Sequence, residues 1–420
     1  MTIKTRVQLS SMMFLEYLVW GAWYVTLGTY LGTTLEFEGS QIGLAYGAFA
    51  IAAMISPFFV GMVADRFFPT ERVLAVLHFA GAGLLFWLAQ IEEFNLFYPV
   101  IIAYTLCFMP TIALTNSLSF QHMDNPGEEF PGVRVLGTIS WIIIGLVVGF
   151  LDIEAMNTPI LIASGASVIM GLYSLTLPHT PPKSKGQKAS VSEVLGLDAL
   201  RLMKNRSFAV LFIASMLICI PLSFYYSFAN LFLNDIGVEN AAGKMTLGQG
   251  SEILFLLLMP LFFKRLGYKK MLMIGMLAWG ARYLLFMWGN PAELVWMLYG
   301  GIILHGICYD FFFVTGQIYV DEKAPASVKN SAQGLITFAT YGVGMFVGSW
   351  LSGIIVEQNT QLTDNVKDYL WNQIWLVPAV LSFIVLLLFT IFFREKAAQK
   401  KPVEVLEETP AEGIAPSRTI

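Results

Sequence analysis

Long apolar runs, each about the length of a bilayer crossing, alternate along this chain with short polar connections. A spanning helix needs ~20 apolar residues, and twelve windows of that kind can be marked. They run roughly 9–31, 41–64, 71–92, 95–120, 133–152, 157–177, 207–234, 245–263, 269–289, 293–320, 329–356 and 370–393. The fourth and tenth are long enough to tilt or to extend past the bilayer. One polar, basic interruption, opened by Pro181-Pro182, divides the windows six and six. Within it Val194, Leu195, Leu197, Leu200 and Met203 have helical spacing, which suggests a short amphipathic helix at the inner surface. The expected organisation is an N-terminal six-helix bundle over 1–178, a cytoplasmic linker over 179–206 and a C-terminal six-helix bundle over 207–395. A charged tail with scattered proline, 396–420, reads as disordered and cytoplasmic. The fold class is an all-α membrane protein with twelve transmembrane helices in two pseudo-symmetric bundles.

Composition agrees. The 420 residues are 56% hydrophobic and 13% charged, with mean hydropathy +0.66, against roughly 25% charged in soluble domains. The net charge of -4 decides little, because charge here is a matter of placement. Lys4 and Arg6, Arg66 and Arg72, Lys183 through Arg206, Lys264 through Lys270, Lys323 and Lys329, and Arg394 through Lys401 fall in alternate connections. The other connections hold acids such as Glu36, Glu38, Glu92 and Glu93, with Lys244 and Lys367 as exceptions. The positive-inside rule puts both termini and the central loop in the cytoplasm, as in a multi-pass protein of the cell inner membrane. The first span follows only two basic residues and lacks a convincing cleavage site, so it reads as a retained helix. Cys107, Cys219 and Cys308 lie within spans and read as packing residues. No metal cluster, P-loop, nucleophile elbow or dinucleotide fingerprint is visible, so no cofactor, ATP-driven step or nucleic-acid partner is expected. The lipid bilayer is the expected environment and a monomer the expected unit.

Ionisable residues inside such spans are costly, at least ~2.5–3.5 kcal/mol by insertion scales, and usually face a bundle interior or a wet path. Here they are Glu16, Arg134, Glu252, Arg282, His305 and Asp310. Arg134, Thr138 and Trp141 recur at i, i+4, i+7, which puts guanidinium, hydroxyl and indole on one face of the fifth span. The Arg fork can donate several hydrogen bonds and the ring can stack on a planar group; alternatively Arg134 snorkels to the cytoplasmic surface. Gln249 and Glu252 share a face of the eighth span. A carboxylate in such surroundings resists ionisation, so Glu252 is the favoured proton carrier and solute acceptor, with an ion pair to Arg134 or Arg282 as the structural alternative. In the tenth span His305 and Tyr309 share a face, with Asp310 rotated ~100° from Tyr309. Asp310 reads equally as a second proton site or as a helix-pairing residue, and His305 equally as a ligand contact or a structural group. Ser223, Tyr226, Ser227 and Asn230 make a polar stripe on the seventh span. Glu16 either faces the cavity or bonds to the fourth span near Asn116, and Arg282 reads as peripheral or pairing. Trp20 and Trp23 read equally as packing or interface residues.

The two halves echo each other. Gly61 through Arg72 between spans two and three is matched, six spans later, by Lys264-Arg265-Leu266-Gly267-Tyr268-Lys269-Lys270. A short basic turn at corresponding places is what an internal repeat produces. It resembles a degenerate form of the loop signature of the major facilitator superfamily, lacking the second glycine in the first copy.

Within that superfamily the chain resembles the nucleoside:proton symporter family, similar to bacterial nucleoside permeases, over about residues 9–395. The matching stretches are Leu18 through Gly28, Met109-Pro110-Thr111 with Asn116, and Phe130 through Thr138. Further on come Leu195 through Ala199, Gln249 through Glu252, Tyr309 through Phe312, and Ser331 through Gly334. The resemblance implies the major facilitator fold with a nucleoside cavity between the bundles. It implies that Arg134, Thr138, Gln249 and Glu252 keep the family's ligand positions and that Asp310 matches the family's acid. Trp141 stands where Phe is usual, Ser223 and Tyr226 replace two amides, His305 replaces a Tyr and Tyr309 a Phe. The retained set implies sugar recognition and proton coupling through Glu252 and Asp310; the altered set leaves the base open. The expected function is nucleoside import by proton symport through alternating access. The rivals are a facilitator-fold symporter for sugars, sugar derivatives or drugs, and a membrane sensor that binds solute without moving it.

Overall fold

With no water to bond in hydrocarbon, backbone N–H and C=O groups must be satisfied within the chain, which leaves helices as the only open-ended solution. The structure, a computed structural model, describes residues 1–59, 67–182, 197–325, 328–364 and 366–394, and these are helical nearly throughout. The first half supplies α1 Ile3–Gly21, α2 Gly39–Phe59, α3 Thr70–Leu88, α4 Phe94–Gln121, α5 Pro126–Phe150 and α6 Thr158–Ser174. The second half supplies α7 Arg206–Asp235, α8 Ala241–Trp288, α9 Val295–Tyr309 and α10 Thr315–Lys323. It ends with α11 Lys329–Thr337, α12 Met345–Gln358 and α13 Trp371–Phe392. Among the described residues nine helices are long and apolar enough to cross a membrane. The protein is a multi-pass membrane protein.

Several boundaries differ from those the hydropathy pattern predicts. The eighth and ninth windows run on as α8, 48 residues long, broken at Gly267 (φ 67, ψ 179). That backbone conformation suits glycine, which has no Cβ to clash, and it falls inside the basic turn expected between those windows. The tenth and eleventh windows each contain a π-helical stretch, Asp310–Val314 and Phe338–Gly344, joining α9 to α10 and α11 to α12. A third, Tyr30–Thr34, extends the α1 side. Of the amphipathic helix expected around 194–203, the described part is a short 3₁₀ helix, Leu197–Lys204; Val194 and Leu195 lie outside the described residues, as do the 61–66 turn and the 396–420 tail. A hairpin is the one departure from all-helical structure among the described residues. Thr360–Thr363 pairs with Val366–Tyr369, Thr360 opposite Tyr369. It carries Lys367, whose Nζ donates to the carbonyls of Glu36 (2.8 Å) and Phe37 (2.9 Å). That bond accounts for one of the two basic residues that stood out among the acidic connections.

Helix ends sort onto two faces. Gln8 donates to Thr176 O (2.7 Å) and Ser207 to Arg394 O (2.5 Å), which gathers both described chain ends with the end of α6 and the start of α7. On the opposite, far face Thr34 bonds the carbonyl of Ala155, Asn157 donates to Ala89 O (2.9 Å), and Trp371 donates to Asp235 (2.7 Å). The halves meet chiefly where α2 packs on α12 and α5 on α8. At the first of these a Cβ on Gly43 would sit 2.2 Å from the carbonyl oxygen of Ser349, so the backbones touch as small residues allow in membrane helices. The outward faces of α5 and α8 carry exposed Leu146, Val147, Phe150, Leu254 and Leu257. Apolar surface of that extent belongs against lipid rather than water.

Candidate functional site

Between the halves α1, α5, α7 and α8 line a narrow crevice, open in part to the surface. Its wall combines Trp141, Tyr225, Tyr226 and Gln249 with the small residues Gly21, Ala22, Gly145 and Ala242. The aromatic side is continuous: Trp20 meets Trp141 edge-on at 5.3 Å between centroids, and Tyr24 bridges Trp141 (6.4 Å) to Tyr226 (5.8 Å). Edge-to-face pairs of this kind hold rings in place while leaving other faces open to a guest. Trp23 is fully buried and packs on Tyr104 and Phe49.

Arg134, Thr138, Glu252, His305, Tyr309 and Asp310 are not on that wall; Arg134 and Glu252 lie further along the helices that carry Trp141 and Gln249. Arg134, two turns before Trp141 on α5, lies over the Tyr17 ring, 3.9 Å from its centroid, so an aromatic face supports the cation. Thr138, between them, is half-buried. On α8 Glu252 follows Gln249 by one helical turn, and its carboxylate is 4.0 Å from His305 Nε2. No ion pair joins Glu252 to Arg134 or Arg282 among the described residues. His305 stacks on Tyr225 (5.3 Å, 24°) and Tyr309 (6.1 Å, 29°). The Tyr309 hydroxyl shares a 2.7 Å hydrogen bond with that of Tyr341. Asp310, 1% exposed, opens the π-helical stretch, and neither of its oxygens has a hydrogen-bond partner among the described residues. π-helical turns recur at functional sites because they re-aim a side chain within a helix.

Other polar residues are spent on architecture. Ser223 is fully buried and donates to Cys219 O (2.9 Å) and Met345 O (3.3 Å). Of the seventh-span stripe, only Tyr226 is on the crevice wall. Arg282 is not peripheral: it is fully buried, 3.6 Å over the Tyr225 ring, with Nε donating to Gly301 O (2.8 Å). Glu16 does bond to α4, at Thr111 (2.6 Å) rather than near Asn116, and pairs with His78 (3.0 Å), whose other ring nitrogen meets Ser167 (3.1 Å). His78 carries no sequence signal of its own; only its position opposite Glu16 marks it. Removing one member of a buried pair leaves the other uncompensated, which costs about 3–5 kcal/mol. Glu16→Ala and His78→Ala should therefore each lower the melting temperature in detergent. The double variant should lose less than the two singles summed, and strict additivity would show that the pair does not act as a unit.

Comparison with known proteins bears on this site. A family profile described as nucleoside H+ symporter matches residues 3–398. YegT of Escherichia coli (strain K12) is 44% identical over 414 residues, covering 96% of this chain and 97% of that protein. Xanthosine permease of the same organism is 35% identical, covering 94% and 96%. The crystal structure of nucleoside transporter NupG superposes with a TM-score of 0.85 at 33% identity, covering 94% of this chain and all of that one. The POT family transporter PepTSo, 13% identical with a TM-score of 0.72, shares the fold. Its relatives being transporters, the chain is no enzyme, and with residues 3–398 matched it belongs to the nucleoside H+ symporter family.

Proposed function

We propose that this chain imports nucleosides with protons across the cell inner membrane, by alternating access of two six-helix bundles with twelve crossings between them. The observation that carries the reading is the crevice between the halves. The Trp141 ring lines it from one half and Gln249 and Tyr226 from the other. Arg134 is two turns from Trp141 on α5 and Glu252 one turn from Gln249 on α8, and the buried carboxyl of Asp310 has no hydrogen-bond partner among the described residues. A site built from both halves is rebuilt whenever they rock, which is how a midplane site serves two sides in turn. The cis-diol of a ribose offers two adjacent hydroxyls, and a carboxylate accepts from both while Arg134 and Gln249 donate to ring and hydroxyl oxygens. Thr138 is proposed to add a hydroxyl contact, and the base to stack on Trp141, with Tyr226, His305 and Tyr309 at its edge. Ser223 acts only through the packing of α7 on α12.

An orphan buried carboxyl exchanges a proton rather than carrying permanent charge, which fits Asp310; Glu252, half-buried beside His305, is proposed as the other coupling site. The placement of charge supports the orientation. Lys4, Arg6, Arg72, Arg206, Lys264 and Lys270 end helices on the terminal face, and Glu36, Glu38, Glu92 and Glu93 border the far face. The terminal face is thus cytoplasmic. The crevice lies within one chain, so one chain is the transport unit.

Purified protein in liposomes with an inward pH gradient tests the reading directly. Uptake of labelled nucleosides, xanthosine and uridine among them, should exceed the equilibrium level and collapse on adding a protonophore. Competition by free sugars but not by unlabelled nucleosides would replace nucleosides by sugars as the cargo. Saturable binding without flux would make the protein a sensor.

A further inference from the structure

On the far face one carboxylate gathers more hydrogen bonds between the halves than any other group among the described residues. Glu154 lies in the 151–157 connection of the first half, 3% exposed, yet all of its hydrogen bonds reach into the second half. Its Oε2 accepts from Asn230 Nδ2 (2.7 Å) and Asn234 Nδ2 (2.9 Å) on α7, and its Oε1 from the backbone N–H of Ala242 (2.9 Å). Ala242 is in the first turn of α8, where amides lack helical partners and favour an anion. Asn230 is itself oriented by a 2.6 Å bond from Thr29 of the first half. Two further contacts between the halves lie on the same face: Ser40 N donates to Glu357 (2.9 Å), and Lys367 caps the Glu36 and Phe37 carbonyls. Every hydrogen bond between the halves among the described residues is on this face. Of these groups Glu154 alone collects three donors at a buried position, and donors of that number disappear together when the halves part.

We propose that Glu154 is the positioning residue that latches the far face, so that its bonds must break before solute enters from that side. The direction of entry rests on the orientation proposed above; the latch itself does not. Val25→Cys places a thiol on the crevice wall, and its labelling by a membrane-impermeant reagent is followed in intact cells and in inside-out vesicles. Charge-assisted hydrogen bonds are strong enough that Glu154→Ala and Glu154→Gln should raise far-face labelling by at least about tenfold. Labelling from the terminal face should fall in step, and Glu154→Asp should restore much of the native pattern. If the increase appears in vesicles rather than cells, the orientation is wrong and the latch stands. Unchanged labelling from both sides in folded variants overturns the latch. Should those variants fail to fold, Asn234→Ala, which keeps the carboxylate and removes one of its donors, decides: far-face labelling should rise by a smaller factor, and unchanged labelling would refute the proposal.

Discussion

Glu252→Gln should abolish uphill accumulation while leaving exchange of solute across the membrane intact. The amide keeps the size of the carboxyl and its place one turn beyond Gln249, but it cannot take up or release a proton. Solute can then still bind and the loaded carrier can still reorient; what disappears is the link between that cycle and the proton gradient. A driving force of ~2.3 kcal/mol per charge per 100 mV corresponds to roughly 50-fold accumulation, and this ratio should fall to unity. Counterflow of labelled against unlabelled nucleoside should persist within a few-fold of the native rate. The neighbours make Glu252 the stronger choice over Glu16. The Glu252 side chain is 28% exposed and, among the described residues, its one ionic neighbour is His305 at 4.0 Å, whereas Glu16 is 1% exposed and fully engaged by His78 and Thr111. Undiminished accumulation by Glu252→Gln would move the proton site elsewhere, Asp310 first.

Arg134→Ala should weaken nucleoside binding by roughly 10- to 150-fold, the range expected for losing about 1.5–3 kcal/mol of charged hydrogen bonding. Arg134→Lys should recover little of it. The guanidinium is planar and lies over the Tyr17 ring at 3.9 Å, which restrains its fork; an ammonium group neither stacks this way nor offers paired donors. Tyr17→Leu should then produce a smaller loss in the same direction, because the cation remains but its support is gone. Equilibrium binding by isothermal calorimetry or scintillation proximity checks all three. Native affinity in Arg134→Ala would show that the side chain snorkels to the cytoplasmic surface and takes no part in recognition.

Much of this was legible before any coordinates. Span positions follow from apolar run length, and the break in α8 follows from a glycine set among four basic residues, which can neither stay helical nor enter lipid. The Arg134–Thr138–Trp141 and Gln249–Glu252 faces follow from helical spacing alone. What escaped depends on partners distant in sequence. Glu154 reads as one more acid in a solvated loop until Asn230, Asn234 and Ala242 are brought to it by the meeting of the halves. His78 is invisible until α3 sets it against Glu16. The π-helical turn at Asp310 is a matter of ring sizes in backbone hydrogen bonding, to which side-chain periodicity is blind. Ser223 sits on the right helix, yet the spacing that groups it with Tyr226 does not say that its hydroxyl is turned toward Met345.

The most direct test of proton coupling is proton movement caused by the solute itself. Nucleoside added to weakly buffered liposomes holding the protein, with no gradient imposed, should alkalinise the outside medium. The proton uptake should scale with nucleoside entry and vanish in Glu252→Gln. Nucleoside entry with no accompanying change in external pH would contradict the account.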